Sequence, residues 1–350
     1  MAADGNGRPP TIQDVARSVG LHQSTVSRAL NQRAGARVSS ETVDRVRASA
    51  LALGYVPNPW AVSLRTQSTK LIGVVVPSMR DPIHAALCDA VEQATYGAGY
   101  QATFVSSGDT PAGQRRKVEY LLGRRVDGLI LTDAHRRNPF VADLKTRGIP
   151  LVLIIRRTGG LSALAVDELR GGSLVANHLW QGGHRKFGVV GGMAYASTAH
   201  DRVCGFLKTI QEFGGVANTD VAVVASEFDV EAGYQACRRL INMGDRVSAI
   251  FAVSDLLAVG VMAALREVGR TPGRDVAVVG YNNLPLAARL PIPLSSIHVP
   301  LEQLGQLGVA RLVRQLEGER HPPEPVLLEP RLIARESSEM VRVATKSDSP

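Results

Sequence analysis

Long apolar segments are missing from this sequence of 350 residues. The longest apolar runs, such as Leu71–Val76 and Leu151–Ile155, have the length of a strand, whereas a membrane-spanning helix needs about 20 apolar residues. Residues 1–10 also lack the apolar core of a signal peptide. We therefore expect a cytoplasmic protein that is neither exported nor embedded in a membrane.

Cysteine is scarce as well. The three cysteines, Cys88, Cys204 and Cys237, are far apart in the sequence. They form neither a CxxC pair nor a Cys/His cluster with the spacing of metal ligands. This pattern suits a reduced compartment, and we expect no bound metal and no cofactor.

Motifs of common enzyme classes are absent too. Ser197, His184 and His200 could suggest a hydrolase triad, but the GxSxG sequence that exposes a nucleophilic serine does not occur. The stretch GDTPAG at residues 108–113 is not followed by the GKS or GKT of a phosphate-binding loop. We therefore predict that the protein is not an enzyme.

Positive charge is present and is concentrated at the N-terminus. The formal net charge is +8, and residues 1–70 contribute +5 of it through nine basic and four acidic residues. A basic segment of this kind favours an acidic partner such as nucleic acid. Because 34 of the 40 basic residues are arginine, a single arginine is weak evidence for a site.

Three short helices are predicted in this basic segment. Thr11 and Asp14 form a capping box at the start of the first helix, and Ser39 caps the third, which stops at Gly54. The second helix places short polar side chains and one arginine on one face: Gln23, Ser24, Ser27, Arg28 and Asn31. Such side chains suit base edges and phosphates in the major groove of DNA, so we predict a helix-turn-helix.

Beyond residue 70 strand-length runs alternate with helical stretches, which indicates parallel sheets with crossover helices. The predicted strands are 71–76, 102–106, 128–132, 151–155, 163–166, 187–191, 221–225, 249–253 and 276–281. This number of strands suggests two sheets and hence two subdomains. The predicted domains are a flexible tail at 1–10, an all-α headpiece at 11–56, a hinge helix and linker at 57–69, an α/β core at 70–337 and a flexible tail at 338–350.

An ordered set of motifs resembles the LacI/GalR family of transcriptional regulators. The set begins with TIQDVARSVGLHQSTVSRALN, VSSETVDRVRASALALGYVPNPWAVSLRT and LIGVVVP, and continues with RVDGLI, GGHRKFGVVGG, DRVCGF, EAGYQA, SDLLAVG, DVAVVGYNN and PLEQLG. The resemblance implies a DNA-binding repressor with a core like that of periplasmic binding proteins. In such a repressor the core forms a homodimer on a pseudo-palindromic operator and binds a small sugar-like molecule between its two subdomains.

The resemblance also implies DNA-contacting residues. Gln23 and Ser24 match positions that read operator bases, and Arg28 matches a major-groove contact. Other matched positions mostly hold phosphates: Thr11, Thr25, Ser27, Asn31, Ser39, Thr42, Tyr55 and Asn58. For Thr11 and Ser39 pure helix capping is an equal alternative. His22 departs from the family, which usually has a capping Ser there.

Two hinge positions are matched as well. Ala61 and Leu64 correspond to residues of the family's hinge helix, and Leu64 to a wedge inserted into the minor groove, which kinks the DNA. The alternative for an exposed leucine on a linker helix is packing against the dimer partner.

In the core we expect five ligand-binding residues, three from the resemblance and two from their positions on loops after strands. Arg202 matches a guanidinium that grips ligand hydroxyls or a carboxylate, and Phe228 an aromatic ring that stacks on the ligand, although core packing is an equal alternative for Phe228. His84 and Asp133 lie on loops after predicted strands, where ligands of parallel sheets bind. Asn282 stands at a further pocket position.

Three pocket positions lack the polar residue that the family commonly has: Ile155 and Asn282 replace aspartates, and Ser254 replaces an asparagine. Without these carboxylates less negative charge is available to balance the guanidinium of Arg202, and burying an unpaired guanidinium is costly. We therefore expect an anionic ligand, such as a sugar acid, over a neutral sugar, unless Asp133, Asp167 or Asp255 restores the balance.

Two other functions remain open from sequence. One is a sugar-binding protein of the periplasmic class without a DNA role, against which the headpiece argues. The other is a regulator of the same fold that is controlled by a partner protein instead of a metabolite.

Overall fold

A computed structural model of the chain describes residues 8–30, 38–56, 68–159, 161–214, 221–225, 227–242, 247–319 and 325–339. The chain separates into two compact units between Thr69 and Lys70. The smaller unit is all-helical, and the larger unit holds two sheets.

The smaller unit contains three helices, α1 (Ile12–Val19), α2 (Gln23–Leu30) and α3 (Ser40–Leu53). Helices α1 and α3 each end at a glycine in the left-handed conformation, with φ of 65° at Gly20 and 68° at Gly54. Their apolar faces meet in a small core of six buried side chains: Val15, Ala16, Val26, Ala29, Val46 and Ala50. This core fixes which face of each helix remains exposed.

The larger unit, which we call the core, alternates strands and helices. In chain order its elements are β1 (Leu71–Val76), α4 (Pro82–Gly97), β2 (Gln101–Ser106), α5 (Pro111–Gly123), β3 (Gly128–Leu131), α6 (Pro139–Thr146), β4 (Leu151–Ile154), β5 (Ala163–Val166), α7 (Glu168–Gln181), β6 (Phe187–Gly191), α8 (Ser197–Glu212), β7 (Val221–Ala225), α9 (Val230–Asn242), β8 (Ala249–Ala252), α10 (Asp255–Glu267), β9 (Ala277–Asn282), β10 (Ser295–His298), α11 (Leu301–Leu316), β11 (Val326–Leu328) and β12 (Arg331–Ile333).

These strands form two six-stranded sheets, one in each subdomain. The first sheet has the order β2-β1-β3-β4-β5-β11 and is parallel throughout. The second has the order β7-β6-β8-β9-β10-β12, and only β12 runs antiparallel to its neighbour. Both orders are those of open α/β sheets, in which ligands bind beyond the carboxyl ends of the strands.

The predicted fold class, an all-α headpiece with an α/β core of two parallel-sheet subdomains, is confirmed. All nine predicted strands are present with ends that differ by at most one residue. They are apolar runs because helices cover both faces of a parallel sheet, so every side chain of β3, β4, β6, β8 and β9 is buried. The prediction missed β10, β11 and β12, which are short and lie at or next to sheet edges.

Two glycines allow helices α7 and α8 to approach each other closely. A Cβ at Gly172 would lie 2.0 Å from the carbonyl oxygen of Arg202, and a Cβ at Gly205 would lie 2.0 Å from that of Leu169. Any larger residue would push the two helices apart. The close approach brings the first residue of α7, Glu168, beside Arg202 on α8.

The part of the chain that the structure describes contains no helix both long and apolar enough to span a bilayer.

Gly172→Ala should destabilise the core because its Cβ meets backbone that cannot move without separating α7 from α8. We expect a loss of about 1–3 kcal/mol in the free energy of unfolding, the usual cost of overpacking. Gly97→Ala is the matched control, since a Cβ at this helical glycine meets nothing within 4 Å. Chemical denaturation of both variants measures the difference, and equal stability of the two would contradict the steric argument.

Candidate functional sites

The first candidate site is the exposed face of α2. Gln23, Ser24 and Arg28 are exposed, whereas Thr25 and Ser27 are half-buried. The face is fixed from behind because Val26 and Ala29 are anchored in the headpiece core. Arg28 lies along the helix, donating from Nε to the carbonyl oxygen of Ser24 at 3.1 Å. The five side chains thus form one polar surface with a single positive charge.

His22 takes the place of a capping serine at the start of α2. Its Nδ1 accepts a hydrogen bond from the backbone N–H of Ser24 at 3.3 Å and lies 2.8 Å from the Ser24 hydroxyl. This is the bond that an N-cap side chain makes to the second residue of a helix. The departure from the family's serine therefore preserves the cap.

Thr11 and Tyr55 are both engaged within the headpiece. The Asp14 carboxylate accepts from the Thr11 backbone N–H at 2.9 Å and from its hydroxyl at 2.7 Å. These two bonds lower the pKa of Asp14. Tyr55 is half-buried against the headpiece core, and burial raises the pKa of its phenol. Capping by Thr11 is thus present in the structure and remains compatible with a phosphate contact.

Four predicted DNA-contacting residues lie outside the described residues: Asn31, Asn58, Ala61 and Leu64.

The second candidate site is a cleft in the core, with a volume of about 500 Å³. Its lining comes from loops after strands of both sheets, and includes Asp81, His84, Asp109, Ile155, Arg156, Thr198, Arg202, Phe228, Ser254 and Asn282. The carboxyl ends of two parallel sheets therefore face one space. Four of the five predicted ligand-binding residues meet there: His84, Arg202, Phe228 and Asn282.

The fifth, Asp133, is not part of that lining. It is 1% exposed and accepts a hydrogen bond from the Gln114 amide at 2.5 Å, and Gln114 in turn accepts from Asn138 at 2.6 Å. Burial raises the pKa of the Asp133 carboxyl. The Asp133 side chain joins this polar network in the first subdomain, and its predicted role in ligand binding stays a prediction.

Arg202 is the most tightly held side chain of the cleft. Its guanidinium donates to both carboxylate oxygens of Glu168, at 2.8 and 2.7 Å, and to the Val253 carbonyl oxygen at 2.8 Å. It also lies 3.7 Å from the centre of the Tyr281 ring. The premise that Arg202 lacks a carboxylate partner was wrong. Sequence reasoning considered three aspartates and missed Glu168, which at the start of α7 looks like an ordinary helix-terminal charge.

A second arginine of the cleft is paired in the same way. Arg156 is 5% exposed and donates to both carboxylate oxygens of Asp109, at 2.5 and 2.9 Å. Burial opposes ionisation of Asp109, but the bonds and charge of Arg156, together with the Tyr195 hydroxyl and His135, lower the pKa of the carboxyl. Sequence reasoning missed Asp109 because it lies in a polar loop without a motif.

Three lining residues have left-handed backbone conformations, with φ of 55° at Asp109, 69° at Ile155 and 107° at Asn282. Such conformations cost about 1–3 kcal/mol each and concentrate at functional sites. Ile155 is the central residue of a three-residue turn, in which the Arg156 N–H donates to the Ile154 carbonyl oxygen at 2.8 Å. This turn follows β4 directly and leads into Arg156.

Two buried polar atoms in the lining have no protein partner. His84 and Asn282 are each 6% exposed, and neither Nδ1 of His84 nor Oδ1 of Asn282 has a hydrogen-bond partner. Burial, with a smaller effect of Arg156, lowers the pKa of His84 from 6.5 to about 3. His84 is therefore neutral at physiological pH. Unpaired buried polar atoms are costly, and a polar ligand in the cleft would satisfy them.

Phe228 is half-buried at the cleft and packs against Gly192, where a Cβ would lie 2.4 Å from the ring. One part of the ring thus contacts protein while the ring still lines the cleft. Packing and ligand stacking are compatible at this position.

Among the described residues no group of three or more His, Cys, Asp or Glu side chains is arranged to hold a metal ion.

Sequence comparisons relate both units to known proteins. The profile of bacterial regulatory proteins of the lacI family matches residues 11–58, and that of the periplasmic binding protein-like domain matches residues 176–338. The HTH-type transcriptional repressor PurR of Pectobacterium carotovorum is 32% identical over 331 residues, covering 93% of this chain and 96% of that protein. PurR of Photorhabdus laumondii is 30% identical with the same coverage.

Solved structures of transcriptional regulators are similar to this chain as well. The lac repressor dimer bound to operator and the anti-inducer ONPF has a TM-score of 0.86 at 25% identity, covering 95% of this chain and 99% of that one. The complex of the transcriptional regulator CelR with cellobiose has a TM-score of 0.71 at 30% identity, covering 94% and 99%. A LacI family regulator from Enterococcus faecium with bound ribose has a TM-score of 0.67 at 25% identity, covering 77% and 98%.

The buried neutral His84 predicts a specific dependence of stability on pH. As the pH falls below about 6.5 the unfolded state binds a proton that the folded state does not take up until about pH 3, so the free energy of unfolding decreases. His84→Gln removes this contribution, which amounts to at most about 1.4 kcal/mol per pH unit. Urea denaturation between pH 7 and pH 4 should give a shallower pH profile for the variant; parallel profiles would contradict a neutral His84.

Proposed function

This chain belongs to the lacI family of bacterial regulatory proteins, and we propose that it represses transcription as a homodimer on a pseudo-palindromic operator, under the control of a small molecule bound in the core cleft. Two headpieces related by the dimer axis would read two half-sites. The proposed site of action is the cytoplasm, where the DNA is.

The observation that carries this proposal is the pairing of two sites in one chain. The headpiece has a polar α2 face backed by a small core, and the core has a cleft with two buried polar atoms, on His84 and Asn282, that lack partners. A sugar-binding protein without a DNA role would not need the first site. An operator-binding protein without an effector would not need the second.

On the DNA, the exposed Gln23, Ser24 and Arg28 are the proposed base contacts. Thr11, Thr25, Ser27 and Tyr55 are proposed phosphate contacts, since all four are partly exposed and lie within the matched lacI-family profile. Asn31 and Asn58 are proposed as further phosphate contacts because they lie within the matched lacI-family profile at residues 11–58. Ala61 and Leu64 lie beyond that profile, and they are the proposed minor-groove contacts of the hinge on the strength of the motif resemblance alone.

Selection of binding sites from a random double-stranded DNA pool should yield a pseudo-palindrome. On that sequence Arg28→Ala should cost about 1–3 kcal/mol of binding free energy, and much less on random DNA, because a base contact carries sequence discrimination. Arg116→Ala, an exposed arginine on α5 of the core, is the matched control. Equal losses on both DNAs would make Arg28 a phosphate contact.

In the cleft we propose a neutral polyhydroxylated effector of the size of a sugar. The lining includes the charged side chains Arg80, Arg156, Arg202, Asp81, Asp109, Glu227 and Asp229. Two of these arginines are already bound bidentately, Arg156 by Asp109 and Arg202 by Glu168. An acidic ligand would therefore meet carboxylates without an unpaired buried guanidinium to attract it.

Sugar hydroxyls both donate and accept, so they suit this mixture of groups. They can donate to the unpartnered oxygen of Asn282 and exchange hydrogen bonds with neutral His84, while the Phe228 ring provides an apolar surface for the ring face. The cellobiose and ribose bound to two structural relatives belong to this class.

Thermal-shift assays with neutral sugars and their acids test the effector class. Cellobiose with cellobionate, and ribose with ribonate, are suitable pairs, because ligand binding to the folded state alone raises the melting temperature. We expect shifts from neutral members only, and Phe228→Ala should reduce them. A shift from the acid alone would contradict the proposal, and no shift from any small molecule would favour control by a partner protein.

A further inference from the structure

The two subdomains contact each other along one rim of the cleft, at residues that the sequence analysis did not place in the ligand site. On the first subdomain the contacts come from the loops after β2, β3 and β4. On the second they come from the loop after β6 and the first turn of α8.

Asp109 is the centre of this contact. Its Oδ2 accepts a hydrogen bond from the Tyr195 hydroxyl at 3.1 Å, while both carboxylate oxygens hold Arg156. His135 stacks on the Tyr195 ring with centroids 4.2 Å apart, and its Nε2 lies 3.2 Å from the Asp109 carbonyl oxygen. Tyr195 of the second subdomain is thus seated between two residues of the first.

A second contact lies beside the first. The Arg157 guanidinium donates to the Asp201 carboxylate at 2.6 Å, and the Arg157 backbone N–H donates to the Ser197 hydroxyl at 2.9 Å. Between the two contacts the Arg136 N–H donates to the Tyr195 carbonyl oxygen at 2.9 Å. Side chains and backbone therefore join the subdomains at several adjacent points.

We propose that Tyr195 and Asp201 are positioning residues that hold the cleft closed across its rim, Tyr195 through the Asp109–Arg156 pair and Asp201 through Arg157. Neither Tyr195 nor Asp201 belongs to the lining of the cleft. They act on the effector site by fixing the distance between its two walls, and they set the cost of opening it.

This bridge has a consequence for control by an effector. Asp109 and Arg156 line the cleft and also carry the bridge, so a ligand that binds either group changes the stability of the closed arrangement. A ligand shifts a conformational equilibrium only through its different affinity for the two states. Asp109 is a group through which such a difference arises in this chain.

Hydrogen exchange of the full-length protein, without ligand or DNA, tests the bridge. The Arg136 and Arg157 amides bond across the subdomain boundary, whereas the Thr132 amide bonds to the Val75 carbonyl oxygen within the first sheet at 3.0 Å. Tyr195→Phe keeps the ring but removes the bond to Asp109. We expect exchange at Arg136 and Arg157 to accelerate about twofold to tenfold and exchange at Thr132 to stay unchanged.

Asp201→Asn should have the same effect through the second contact. Tyr234→Phe and Asp275→Asn are matched controls, because Tyr234 bonds Glu267 and Asp275 bonds Arg274 within the second subdomain alone. These controls should leave the exchange of both bridge amides unchanged.

Unchanged exchange at Arg136 and Arg157 in both bridge variants would overturn the proposal, as would equal acceleration at Thr132. The measurement requires neither operator nor effector, so its failure is separate from failure of the proposed function.

Discussion

The paired Arg202 and Glu168 are the interaction on which the cleft depends. The side chains of Arg202 and Glu168 are only 5% and 4% exposed. A buried ion pair is stable only when its partners are held in good hydrogen-bonding geometry. Gly172 and Gly205 supply that geometry by letting α7 and α8 touch. Tyr281, at the end of the second sheet, covers the guanidinium with its ring. Helices α7 and α8 and the end of strand β9 therefore all contact one group that lines the cleft, the guanidinium of Arg202.

The same pairing sets the electrostatic character of the cleft. An arginine considered alone in a sequence suggests a site for anions. In the structure, however, Arg202 and Arg156 each form an ion pair with a carboxylate of the same chain. The buried part of the lining that these pairs leave for a ligand includes neutral His84 and the unpartnered Asn282 oxygen, next to the Phe228 ring. The proposed sugar-like effector would be oriented by these few polar groups beside an aromatic surface.

The sequence alone predicted the architecture well because the buried strands of the two sheets are recognisable as short apolar runs. Runs such as 71–76 and 187–191 are apolar throughout, which is typical of strands buried on both faces. The edge strand β11 is also apolar, but it has only three residues, which is too short a run to predict a strand. For the cleft, the family motifs located Arg202 and Phe228. Glu168, Asp109 and Tyr195 could not be found in this way, because their role depends on which loops the two sheets bring together.

The position of the cleft constrains how it can influence the headpiece. The segment from the headpiece joins the core at Lys70, directly before the amino end of β1, whereas the cleft lies at the carboxyl ends of the strands. The six residues of β1 separate these edges by roughly 20 Å at about 3.3 Å per residue. Because that strand is buried in a close-packed sheet, it resists local distortion, and the two edges would move together with the whole subdomain. The proposed bridge of Asp109 and Tyr195 lies at the cleft rim, so its effect on the far edge of the sheet would require one subdomain to move as a whole.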